Sequence, residues 1–85
     1  MQDKKKKFQM VLANIVKKYR EDKHLSITKA SDQIALTKSI WSSIESGNRD
    51  PQLTTIWRMA ESLNLPLSVM IKDLEIELST DYFLE

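Results

Sequence analysis

The 85-residue chain has no cysteine, a single histidine, one glycine and two prolines. Without cysteine there is no disulfide framework and no thiolate metal site, and His24 alone cannot hold a metal ion, so no cofactor is expected. So little glycine and proline leaves no flexible linker and no glycine-rich loop to cradle a phosphate. No apolar run approaches the roughly 20 residues that cross a bilayer, and the lysine-rich start is not followed by the apolar stretch and small residues of a secretory leader. These absences predict a single cytoplasmic domain with no membrane partner. They also argue against an enzyme, since no nucleophile, metal cluster or carboxylate pair stands in an expected cleft. A chain this short buries roughly 60–65% of its unfolded surface, so its core is thin and self-association is expected to help it.

What is present is unevenly divided. The net charge is only +1, yet residues 1–51 carry 11 Lys and Arg against 6 Asp and Glu, a net of +5, while residues 52–85 carry 2 against 6, a net of −4. One end suits a polyanion and the other repels it. Part of the positive charge is the run Lys4 to Lys7, which reads either as a basic arm along a polyanion or as a solvated tail.

Apolar periodicity organises the rest into helices. Phe8, Leu12, Ile15, Val16 and Tyr19 share one face, which predicts helix 1 from about Lys6 to Lys23. His24 reads as a helix stop, because histidine tolerates the left-handed backbone that ends helices better than most residues. Ser26 is an N-cap for helix 2, residues 27–34, with Ile27, Ala30 and Ile34 inward. Ala35 and Leu36 make a turn, and Thr37 caps helix 3, residues 38–46. Helix 3 points Ile40, Trp41 and Ile44 inward and leaves Lys38, Ser39, Ser42, Ser43 and Ser46 outward. A fourth helix carries Leu53, Ile56, Met59, Ala60 and Leu63 and closes at Asn64, and Ser68 caps a fifth that carries Val69, Met70, Ile71, Leu74 and Leu78. The fold class is all-α, with five helices and no strand. Residues 1–7 form a flexible basic arm, 8–78 the domain, and 79–85 an acidic, aromatic tail.

At this point the residues resemble the Cro and lambda-repressor-like helix-turn-helix family, also called the Xre family, over about Leu12 to Ile71. The resemblance is carried by Tyr19-Arg20, Lys23 and Leu25-Ser26, by Thr37, and by Ile44-Glu45-Ser46-Gly47. Asn48-Arg49-Asp50-Pro51, Leu53-Thr54-Thr55-Ile56, Ala60-Glu61-Ser62-Leu63 and Leu67-Ser68 complete it. It implies a structural ion pair between Arg20 and Glu45, with a two-point geometry that lysine does not reproduce. It also implies double-stranded DNA as partner, with helix 3 in the major groove. Lys38, Ser39, Ser42 and Ser43 are then the base-contacting residues, and Thr28, Lys29, Thr37, Asn48 and Arg49 the phosphate contacts. Relatives bind two-fold sites as dimers, so a homodimer is expected, with Trp57, Leu74, Leu78, Tyr82, Phe83 and Leu84 as interface candidates; Leu74 reads equally well as core.

The departures from the family pattern are specific. Ile27, Thr28 and Lys29 stand where Gln-Glu-Glu is usual, so the capping box and the phosphate-touching glutamine are missing. Lys29 in a first helical turn opposes the helix dipole, which a phosphate contact would offset; a tolerated surface lysine is the alternative. Ala35 replaces the turn glycine, Ser31 replaces the small packing residue, and Trp41 enlarges a position usually held by Ile or Val and is expected in the core. The resulting expectation is a small repressor-like transcriptional regulator. The alternative is an antitoxin or interaction module of the same fold, whose partner is a toxin or another protein bound by the aromatic, acidic tail.

Overall fold

The computed structural model describes residues 2–78, and these form five helices and no strand: α1 Gln2–Asp22, α2 Ile27–Asp32, α3 Lys38–Glu45, α4 Leu53–Ser62 and α5 Leu67–Glu77. No helix among the described residues is long and apolar enough to cross a membrane. The α1 helix packs on α3 and α5, α2 packs on α3 and α4, and α4 on α5. Leu12 and Val16 of α1, Ala30 of α2, Trp41 and Ile44 of α3, Met59 and Leu63 from α4 and its cap, and Met70 of α5 are buried together in the centre. Every helix thus contributes to one small core, as a chain of this size requires.

The helix boundaries follow from local chemistry. Ser26 accepts a hydrogen bond from the Lys29 N–H at 3.0 Å, and Thr37 accepts from the Ile40 N–H at 3.3 Å, so α2 and α3 each begin where a side-chain oxygen satisfies a free backbone donor. Three non-glycine residues take positive φ, His24 at 58°, Ala35 at 54° and Asn64 at 58°, and each ends a helix or its final turn. Histidine and asparagine tolerate this conformation; alanine does so at a cost, because its Cβ crowds the following carbonyl.

The boundaries differ from the sequence expectation in three places. The described chain is helical from Gln2, so Lys4 to Lys7 lie in the first turns of α1. Lysine is a good helix former, no breaker intervenes, and Lys6 Nζ donates to the Gly47 carbonyl at 3.1 Å while Lys5 lies 3.7 Å from Asp50, so tertiary contacts extend the helix. The α2 helix stops at Asp32, two residues before Ile34, because the chain turns towards left-handed Ala35. Ser68 is not a cap: Pro66 is the N-cap of α5, its ring fixing the φ at which the helix is entered, and Ser68 falls inside the first turn.

Two apolar assignments also change. Leu53 has helical spacing with Ile56 and Met59 but is 62% exposed, whereas Ile56 in the same turn is buried. Leu74, an interface candidate, is 4% exposed and belongs to the core, while Leu78 is partly buried against it. The candidates Tyr82, Phe83 and Leu84, and the tail as a whole, lie outside the described residues.

Candidate nucleic-acid interface

The α3 helix has two contrasting sides. On the inner side Trp41 is completely buried and Ile44 nearly so. The carboxylate of Glu45 gathers three N–H donors: Arg20 Nε at 2.6 Å, Arg20 Nη2 at 3.0 Å, and the indole Nε1 of Trp41 at 2.7 Å. Arg20 Nη1 also donates to the Leu25 carbonyl at 2.7 Å, so one guanidinium ties α1 to α3 and to the segment entering α2. The hydrogen bonds to Glu45, and to a lesser degree its charge, hold the Arg20 pKa above the ordinary arginine value, against the opposing effect of burial. The Arg20 side chain is 12% exposed and that of Glu45 6%, so the pair is desolvated and only its complete hydrogen bonding makes it tolerable.

The indole in this clamp was not anticipated from the sequence, although Trp41 and Glu45 stand four residues apart on one helix, a spacing at which side chains meet. Trp41 is thus both the bulk of the core behind α3 and a donor to the ion pair. Further ties also escaped the sequence reading. Ser62 of α4 donates to the Ala30 carbonyl at 2.7 Å, and Arg58 donates to the Ile34 carbonyl, so α4 supports the end of α2. Buried Ser31 turns its hydroxyl back to the Ile27 and Thr28 carbonyls, at 2.8 and 3.1 Å, and so packs without an orphaned polar atom.

On the outer side Lys38, Ser39 and Ser42 are exposed, and so are Thr28, Lys29, Thr37, Asn48 and Arg49. These residues come from the start of α2, the whole outer face of α3 and the loop after it. The first turns of α2 and α3 carry no acidic residue, so their helix dipoles and free N–H groups present positive potential. The one carboxylate of α3, Glu45, is turned inward. Two of the expected contacts are already engaged with one another: Arg49 Nε donates to Ser43 Oγ at 2.8 Å, and that hydroxyl donates to the Ile40 carbonyl at 2.8 Å. Ser43 is accordingly only partly exposed, unlike Ser39 and Ser42.

The loop that carries Arg49 is shaped by Gly47. Its φ of +77° is one that L side chains rarely adopt, so the backbone calls for glycine, and an added Cβ, 2.5 Å from Met10 Sδ, would also require that flexible side chain to move. The Asn48 N–H donates to the Ser43 carbonyl at 3.1 Å and the Gly47 N–H to the Ile44 carbonyl at 3.1 Å, closing the end of α3. Lys6 and Lys5 of α1 flank this loop through Gly47 and Asp50.

The chain is similar to known proteins in sequence and in fold. The HTH-type transcriptional regulator SutR of Escherichia coli (strain K12) is 27% identical over 60 residues, which cover 71% of this chain and 34% of that protein. The crystal structure of an HTH_3 family transcriptional regulator from Vibrio cholerae superposes with a TM-score of 0.78 at 25% identity, covering 89% of this chain and 43% of that one. The clp gene regulator ClgR from C. glutamicum superposes with a TM-score of 0.74, covering 92% of this chain and 96% of that one, and at 12% identity shows the fold alone. The chain spans about a third of the length of the curated relative it matches. The helix-turn-helix family model HTH_3 matches residues 16–70, from the half of α1 that carries Arg20 to the first turns of α5. That stretch takes in both helices, the turn between them and the clamp that fixes them, and the chain belongs to the HTH_3 helix-turn-helix family.

Proposed function

We propose that this chain binds double-stranded DNA as the reading unit of a repressor-like transcriptional regulator. The α3 helix enters the major groove, with Lys38, Ser39 and Ser42 against base edges, while Thr28, Lys29, Thr37, Asn48 and Arg49 hold the phosphates. The observation that carries this reading is the asymmetry of α3: its only carboxylate is consumed by Arg20 and Trp41 on the inner side, leaving an outer face of lysine and small hydroxyls. A polyanion can approach that face without meeting a negative charge. Lys38 is its only strong donor to guanine O6 or N7; serines donate or accept and so discriminate weakly. Sequence preference is therefore modest at each base, with DNA shape and bridging water supplying part of it. On this reading the protein acts in the cytoplasm.

The proposed assembly is a homodimer on a two-fold site. Trp57, 53% exposed, and Leu53 lie four residues apart on α4, next in sequence to the phosphate-facing loop, and form a face for a second copy. The same exposed pair favours one other reading, a module of this fold that binds a different protein such as a toxin. Selection of bound sequences from random duplexes by the purified protein, with sizing of the complex, separates them. A palindromic consensus bound by two subunits is the expected result, and no enrichment over random duplex overturns the reading in favour of the protein-binding module.

A further inference from the structure

We propose that Ser43 is a positioning residue for Arg49, setting its guanidinium for phosphate contact, and that it does not read bases itself; this rests on the DNA-binding reading above. The hydroxyl has one proton, and the Ile40 carbonyl takes it at 2.8 Å. A lone pair then accepts from Arg49 Nε, also at 2.8 Å. Ser43 therefore has no proton to offer guanine O6 or N7, and the residue is only partly exposed. Its carbonyl is occupied as well, by the Asn48 N–H at 3.1 Å and the Ser46 hydroxyl at 2.9 Å, so the segment carrying Arg49 is folded back onto this one residue.

The consequence lies in the unbound state of Arg49. An exposed arginine loses rotamer freedom when a ligand immobilises it. The Nε bond holds the side chain before DNA arrives and uses one of its five N–H donors, while the remaining four, on Nη1 and Nη2, make no hydrogen bond among the described residues. Those four still allow two-point, end-on engagement of a phosphate through Nη1 and Nη2. Lysine at position 49 would keep the charge but has no Nε donor to be held by, so the arrangement selects arginine for geometry as well as for charge.

The test is a set of variants that leave the backbone contacts of Ser43 intact. Ser43→Ala is expected to weaken binding to specific and random duplexes alike, by roughly three- to tenfold, the range of one net hydrogen bond. The salt dependence should be unchanged, because the Arg49 charge is kept. Arg49→Lys should weaken binding in the parent and have little further effect in the Ser43→Ala background, and Ser43→Thr should restore the parent behaviour. A loss confined to one base pair of the site, or full additivity of Ser43→Ala and Arg49→Lys, would overturn the proposal. An independent readout needs no DNA: the Arg49 Nε–H group should be ordered by NMR relaxation in the free parent and lose that order in Ser43→Ala. Equal order in both proteins refutes the positioning role. An ordered Nε–H in a protein that binds no duplex would instead refute the DNA-binding reading while leaving the positioning intact.

Discussion

The two sides of α3 are built on opposite terms. Behind the helix, Trp41, Ile44 and Glu45 are enclosed, and the Glu45 carboxylate receives three donors within 3.0 Å from α1 and from its own helix. In front, Lys38, Ser39 and Ser42 are exposed, and the contact of Ser39 is with the capping Thr37, at 3.4 Å. An eight-residue helix has too few turns to stand alone, so its orientation comes entirely from the enclosed side. The exposed side is then free to be chemically plain. The contrast teaches that the position of the helix and what it reads are separable properties of one short segment.

Four substitutions probe that separation. The largest effect is expected at the back: Glu45→Ala removes the acceptor of Arg20 Nε, Arg20 Nη2 and the Trp41 N–H in an enclosed site, leaving Arg20 only its bond to the Leu25 carbonyl, and should cost about 3–5 kcal/mol in urea unfolding. That is a large part of the stability of a small domain, and a loss below about 1 kcal/mol would show that the clamp is not what orients α3. At the front, Lys38→Ala should leave the unfolding midpoint nearly unchanged while blurring preference at one base pair by about tenfold in competition binding. A uniform loss at all sequences would reassign Lys38 to the phosphates.

Between the two sides lies the turn. Ala35→Gly is expected to stabilise the fold by roughly 0.5–1 kcal/mol in thermal unfolding, because the residue sits at φ +54° where glycine has no Cβ to crowd. Any destabilisation would mean that the alanine methyl has a compensating contact. The smallest effect belongs to Ser42→Ala, which should move stability by less than about 0.5 kcal/mol in either direction. A larger change would contradict the separation of the two sides.

Much of this was legible from the residues. The apolar periodicity of Leu12, Ile15 and Val16, the caps at Ser26 and Thr37, and the stops at His24 and Asn64 place the helices, because each depends on interactions within a few residues. The two-point Arg20–Glu45 pair came from resemblance, not from spacing. The misreadings have a common cause. Leu53 has the right period for the core, and for Leu74 core and interface stood equally open, because periodicity defines a face and not what lies against it. Lys4 to Lys7 read as an arm because their composition is polar, whereas Lys5 and Lys6 meet a loop more than forty residues away.

By itself the sequence determined an all-helical chain of five elements, a basic first half, and an α3 whose outer residues are lysine and serine, since propensity, capping and charge are local properties. Only the tertiary structure decided that Trp41 joins the ion pair, that Leu74 is interior and Leu53 is not, and that the hydroxyl of Ser43 belongs to Arg49. Each of those depends on which groups distant helices and loops bring within 3 Å or exclude water from, and hydrogen bonding and burial are set by that proximity.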